Sequence, residues 1–259
     1  RLRCGQIGFS GRALGCGPLP CGEVRGLDMP VQGNWSELDG LAMWRQCTPV
    51  SFDRLKVGNL ALAERGLVRC PGSQGAIQKS DGRGTRLAAG TSGLNLSGAL
   101  GTTPIRLKSG AVGFAYPGKL VAKAIDVSMG PLDKPSTLKV ALFTGDLGKA
   151  VTGHFSGTEL KLFAVPLDMS EIEGDLRFAN NDLDITGASL RVTDREKPAK
   201  FEPLIARDGT LQLRSTTFTA QAVLREPKSD REIVHTSIAH DLDTGAGFAD
   251  LKVPGIVFD

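Results

Sequence analysis

The stretch Ile172-Glu173-Gly174-Asp175-Leu176-Arg177-Phe178-Ala179-Asn180-Asn181-Asp182-Leu183-Asp184-Ile185 decides the fold class. Ile172, Leu176 and Phe178, and then Leu183 and Ile185, recur at period two among charged neighbours, which puts them on one face of an extended chain. Between the two runs, Asn180-Asn181-Asp182 supplies residues that tolerate positive φ in a tight turn. The stretch predicts an antiparallel hairpin with one apolar face.

The same pattern continues in both directions. Upstream it holds for Leu55 and Val57, Ile105 and Leu107, Ile125, Val127 and Met129, and Leu138, Val140 and Leu142; downstream for Leu190 and Val192, Leu211 and Leu213, and Leu251 and Val253. Arg207-Asp208-Gly209-Thr210 reads as a second turn. At one strand every 10 to 12 residues the chain holds roughly 18 to 20 strands. The prediction is an all-β chain, a long antiparallel meander. At about 4.8 Å per strand it would extend roughly 90 Å if left open. With no helix to cover the apolar face, the sheet must meet another sheet, curl on itself as a taco-like open groove, or bind something apolar.

The first residues read differently. Residues 1–33 hold eight glycines, three cysteines, Pro18 and Pro20 without clear periodicity, and read as loop. Behind Ser36 as a cap, Leu38, Leu41, Ala42 and Arg45 stand at helical spacing, so a single short helix is expected near 36–46. The expected organisation is an irregular segment over 1–46 and a repetitive β segment over 47–259. A start at Arg1 and an end on Gly255-Ile256-Val257-Phe258-Asp259 read as a segment truncated at both ends.

Composition narrows the function. A balance of 33 glycines and 14 prolines against one Tyr and two Trp favours turn-rich β structure. The 31 Lys plus Arg are interspersed with 28 Asp plus Glu, so no basic stripe is available for a nucleic acid. No run approaches the roughly 18 to 20 apolar residues of a membrane-spanning helix.

Five cysteines, Cys4, Cys16, Cys21, Cys47 and Cys70, cluster in the first third, as disulfide staples of exported proteins do. Cys47 and Cys70 bracket a hairpin-like stretch containing Leu55, Val57, Leu60 and Leu62, which predicts a disulfide between them. Cys16 and Cys21 form the candidate second bridge, with Cys4 left over.

Catalytic signatures are missing from the sequence. Neither a Gly-x-Ser-x-Gly elbow nor a phosphate-binding Gly-x-x-x-x-Gly-Lys loop occurs. Gly245-Ala246-Gly247 reads as a turn, not a dinucleotide site. Cys16 with Cys21 and His235 with His240 approach zinc spacing, but positions 235 and 240 point to opposite faces of a regular strand. Asp241-Leu242-Asp243 lacks the rest of a calcium loop, and for His154 near Ser156 no orienting carboxylate or oxyanion hole is visible in the sequence. The reading is a non-enzyme with no metal and no cofactor.

Three stretches carry a resemblance. They are 46–55 (QCTPVSFDRL) answered by 67–71 (LVRCP), Phe201-Glu202-Pro203-Leu204 with the strands around Leu211 and Phe218, and 238–255 (IAHDLDTGAGFADLKVPG). Together they resemble the YdbH branch of the AsmA-like, TamB-related intermembrane phospholipid transport proteins, over roughly residues 46–259. The resemblance implies a periplasmic location in a Gram-negative envelope and an inner-membrane anchor supplied by an N-terminal helix absent from this stretch. It also implies phospholipid acyl chains as cargo, with a small outer-membrane lipoprotein as a candidate partner.

On that basis the candidate groove residues are Ile125, Val127, Met129, Leu138, Val140, Leu142, Leu176, Phe178, Leu211 and Leu213. Sheltering one chain of about 16 carbons recovers on the order of 13 kcal/mol. The alternative is a closed β-sandwich whose core uses the same residues, serving as a binding or assembly module of the envelope.

Overall fold

A computed structural model of the protein describes residues 5–19, 22–57, 59–180, 182–241 and 243–255. Those residues form nineteen strands and no helix, and every pairing between strands is antiparallel. The chain divides into two units, residues 1–134 and 135–259. Among the described residues no helix is long and apolar enough to cross a membrane.

In the first unit the strands are β1 (Gln6–Leu19), β2 (Gly22–Ser36), β3 (Gly40–Met43), β4 (Thr48–Val57), β5 (Leu60–Pro71), β6 (Gln78–Asp81), β7 (Gly84–Thr91), β8 (Leu94–Leu100), β9 (Thr103–Ser109), β10 (Val112–Tyr116) and β11 (Gly118–Met129). Their pairings reduce to a simple meander. β3 and β4 pair with opposite ends of β2, β5 and β6 pair with β4 and β3, and β7 and β8 both pair with β5. β9 and β10 then pair with opposite halves of β11. Each of these couples is one long strand interrupted once, so eleven strands occupy seven places.

The interruptions hold this unit's small core. Ala76 and Ile77, between β5 and β6, are 0% and 4% exposed, and the Ile77 amide donates to the carbonyls of Met43 and Trp44. The Gln74 side chain donates to the carbonyls of Ala76 and Ile77, so the backbone of the interruption is satisfied without a ladder. Val24, Ala42, Phe52, Ala89 and Ala122 are the other buried hydrophobic residues described in this unit.

The second unit is an uninterrupted meander of eight strands: β12 (Ser136–Leu147), β13 (Val151–Lys161), β14 (Leu167–Ala179), β15 (Asp182–Asp194), β16 (Leu204–Arg214), β17 (Thr217–Arg225), β18 (Glu232–Asp241) and β19 (Gly247–Lys252). Each pairs with the next. No pairing among the described residues joins β12 to β19, so the sheet is not closed. The hairpin that opened the sequence reading is β14 and β15, with Leu176 opposite Ile185 and Phe178 opposite Leu183.

A row of bulges crosses this sheet. Gly157 in β13, Glu171 in β14, Gly187 in β15 and Asp208 in β16 each adopt positive φ, between 54° and 60°. The register shifts where they occur. A bulge bends its strand and moves the side-chain alternation by one residue. In adjacent strands at neighbouring heights, these bends form a crease across the second unit.

Three expectations are corrected. Residues 6–19 and 22–36 are not loop but a long hairpin, with Gln6 opposite Ser36 and Gly15 opposite Leu27. Its glycines at 8, 11, 15 and 17 face open space, so their lack of side chains removes alternation from the sequence without removing the ladder. Nor is there a helix at 36–46. Ser36 Oγ accepts the Asp39 amide at 3.0 Å inside a turn, Gly40 takes φ 70°, and Leu41 and Ala42 return in β3 opposite Trp35 and Asn34. Cys16 carries a free, exposed thiol that accepts the Gly26 amide at 3.3 Å, so it does not bridge to Cys21. Cys4 and Cys21 lie outside the described residues.

Candidate functional site

Residues opposite each other in an antiparallel ladder share a face, and the register therefore traces apolar rows across the second unit. One row runs Leu147, Val151, Phe178, Leu183, Leu213, Phe218. Beside it, Leu176, Ile185, Leu211, Ala220 and Ile238 form a second. Beyond the crease the face continues with Leu138, Leu160, Met169, Val192 and Leu204. The bulges make this possible: without the one-residue shift, residues beyond the crease would turn their apolar side chains to the opposite face.

The opposite face is charged. Arg177, Asp184 and Gln212 occupy a register row there, as do His154 and Asp175. Arg214 pairs with Asp184, and Arg191 Nε donates to Glu171 Oε1 at 3.0 Å. Exposed pairs of this kind contribute little stability and keep that face wet.

The apolar face is not covered by a second layer. Among the described hydrophobic residues of the second unit only Ala188, Val192 and Ala206 are buried, while Leu138, Val140, Leu142, Leu176, Leu211 and Leu213 stay partly exposed and Phe178 is 42% exposed. The protein's accessible surface is 16485 Å² for 27.3 kDa. A compact monomer of that mass would expose about 10,900 Å², and two separate compact units of half the mass about 13,000 Å² together. The excess is what sheets with one unsandwiched face produce.

Of the ten groove residues read from sequence, seven lie in the second unit. Leu176, Phe178, Leu211 and Leu213 meet in neighbouring rows, while Leu138, Val140 and Leu142 share β12 opposite Leu160, Thr158 and Ser156. Ile125, Val127 and Met129 belong to β11 of the first unit, where Val127 and Met129 stand opposite Leu107 and Ile105. Ala124, at φ 49°, makes the phase change there. Sequence reasoning missed Leu147, Val151, Leu160 and Met169, which flank positions already identified. Their signal was the apolar spacing of the partner strand read through the register.

The groups with chemical potential are dispersed. His154 Nδ1 lies 3.0 Å from Asp175 Oδ1 at an exposed register pair, and His235 Nε2 lies 2.9 Å from Glu232 Oε2. Asp241 accepts bonds from the Asp243 and Thr244 amides and from the Thr244 and Thr216 hydroxyls. These bonds, the Thr244 amide first, hold its carboxyl below the usual range. It is a turn residue. Among the described residues no group of three or more His, Cys, Asp or Glu is placed to hold a metal ion.

Cys47 and Cys70 are joined by a disulfide at the interruption between β3 and β4. Search among curated proteins and among solved structures finds no match. A family description, the YdbH-like intermembrane phospholipid transport protein YdbH, matches residues 2–259, which includes the β1–β2 hairpin outside the resemblance seen in the sequence. Matched over residues 2–259, the chain belongs to the YdbH-like family of intermembrane phospholipid transport proteins.

Proposed function

We propose that this chain is a segment of a periplasmic, bridge-like protein that carries phospholipids between the inner and outer membranes by sheltering acyl chains on its apolar face. The carrying observation is the set of apolar rows in the second unit, continuous across adjacent strands and only partly buried. Acyl chains need an apolar track without gaps, because a buried charge or an unpaired polar group along it becomes a barrier of several kcal/mol. The crease supports this role, since it keeps apolar side chains on one face of both halves of each strand. Head groups stay in water, and no bond in the lipid is made or broken, so no catalytic group is required. The reading includes attachment to the inner membrane and a small outer-membrane lipoprotein as partner, both supported by the family alone.

The closed-sandwich alternative requires Leu176, Leu211 and Leu213 to be buried, which they are not. The test uses a photoreactive amino acid at Leu211 or at its neighbour Gln212, in protein purified with native lipid. Phospholipid adducts are expected from position 211 and not from 212, which faces the other way. Equal labelling at both positions, or none at either, overturns the groove.

A further inference from the structure

Arg69 is unlike the other arginines that point toward partners. It lies in β5 opposite Thr48 of β4 and two residues from Leu67, which is opposite Val50, so it stands on the same face as an apolar run. Its guanidinium sits over the Trp44 ring, 4.6 Å from the centroid, and Nη2 is directed at the Met29 thioether sulfur. Nε is buried and has no hydrogen-bond partner. Among the described residues no carboxylate pairs with it, whereas Arg12, Arg86, Arg195, Arg207 and Arg225 each have one.

Its surroundings are fixed. Trp44 Nε1 donates to the Pro30 carbonyl at 2.7 Å and the Trp44 amide to the Gln32 carbonyl at 2.9 Å. The disulfide holds Cys70, the next residue in β5, to the chain just before Thr48. A guanidinium carries five donors and remains charged in proteins. Held half-buried between an aromatic ring and a sulfur, it lacks both a counter-charge and oxygen acceptors, and burial lowers its pKa. A phosphodiester supplies what is absent: one negative charge and two oxygens at the spacing of the guanidinium fork.

We propose that Arg69 is a binding residue for the phosphate of a phospholipid whose acyl chains lie along the apolar side chains of the first unit. This rests on the phospholipid-groove reading above and deepens it, by giving the path one position that reads the head group. A purely structural arginine stacked on Trp44 would not distinguish a phospholipid from a neutral lipid.

The experiment titrates the full 259-residue chain with phosphatidylglycerol and with diacylglycerol carrying the same fluorescent acyl chain, both delivered from cyclodextrin. Wild type is expected to bind the phospholipid about tenfold more tightly, the scale of a charge-assisted bond pair. Arg69→Gln should abolish that preference while leaving diacylglycerol affinity unchanged, and Arg69→Lys should restore part of it. Equal binding of both lipids by wild type overturns the Arg69 assignment and leaves the groove standing; this arm needs no folded variant. Binding of neither lipid overturns both. Inorganic phosphate competing as strongly as the phospholipid assigns the site to a free anion and overturns the lipid assignment.

Discussion

Cys47 and Cys70 face each other one step beyond the Thr48–Arg69 pair, so their disulfide extends the β4–β5 ladder by one rung, with 4.0 Å between the Cα atoms. The rung stands where β3 gives way to β4 and hydrogen bonding between strands is interrupted. Closing a loop of sequence separation 23 should contribute about 3 kcal/mol through the unfolded chain. Urea unfolding of the oxidised chain and of the Cys47→Ala, Cys70→Ala double variant is expected to differ by that amount. Alkylation of both thiols in the folded, unreduced protein would show that the bond is not formed.

The crease makes a separate prediction at Gly187. Its φ is 59° and an added Cβ would meet nothing within 4 Å, so Gly187→Ala should cost only the backbone term, about 1 to 2 kcal/mol. Gly153→Ala, two strands away in β13, is different in kind. There a Cβ would come 2.5 Å from the Thr144 carbonyl oxygen and 2.6 Å from Phe143 Cζ. Chemical denaturation should rank Gly153→Ala as the more damaging of the two. The reverse order would mean that the positive-φ row, not close approach of β12 and β13, limits the sheet.

Acid stability turns on carboxylates in turns. Glu226 accepts the Lys228 amide at 3.0 Å and the Ser229 amide at 2.6 Å, and the Ser229 side chain and these amides lower its pKa from 4.5 to about 2. Asp194 is lowered by the Glu196 and Lys200 amides, and Asp28 by Arg12. A depressed folded-state pKa gives stability that is complete above the unfolded value and is lost as pH falls through the folded one. Stability should therefore be flat from neutrality to about pH 5 and decline from about 4.5 toward 2. In Glu226→Gln the decline should be shallower. An unchanged acid profile in that variant would remove Glu226 from the account.

Fold class was legible because Leu176, Phe178, Leu183 and Ile185 alternate within one hairpin, and alternation is a local property. The β1–β2 hairpin was not, since Gly8, Gly11, Gly15 and Gly17 carry no side chain to alternate and their strand state comes from pairing with β2. The helix expected at 36–46 failed because a serine five residues before the apolar pair Leu41-Ala42 fits a turn as well as a cap. Here the positive φ of Gly40 decides for the turn. The full extent of the apolar face was hidden for another reason. At each bulge the phase changes, so Leu183 and Ile185 before Gly187 and Leu190 and Val192 after it differ in parity along β15, a relation visible only through the register. Arg69 carried no signal, because its isolation depends on Met29 and Trp44, 40 and 25 residues away in sequence.

Val140→Asp separates an open groove from a closed core most sharply. Val140 is opposite Thr158, a residue 3% exposed whose hydroxyl is buried without a partner, and Val140 itself is partly exposed. A carboxylate placed there keeps access to water and gains a donor in Thr158, so the fold should survive with a loss of about 1 to 2 kcal/mol from the missing isopropyl group. In a sandwich core the same carboxylate would be buried without compensation and the unit would unfold. Acyl chains meet a different situation, since a lipid passing position 140 would desolvate the charge, and binding should fall at least tenfold. Thermal unfolding and phospholipid photocrosslinking from Leu211 in the Val140→Asp background measure the two effects together. A folded variant with undiminished crosslinking would remove β12 from the lipid path, and an unfolded one would favour the closed core.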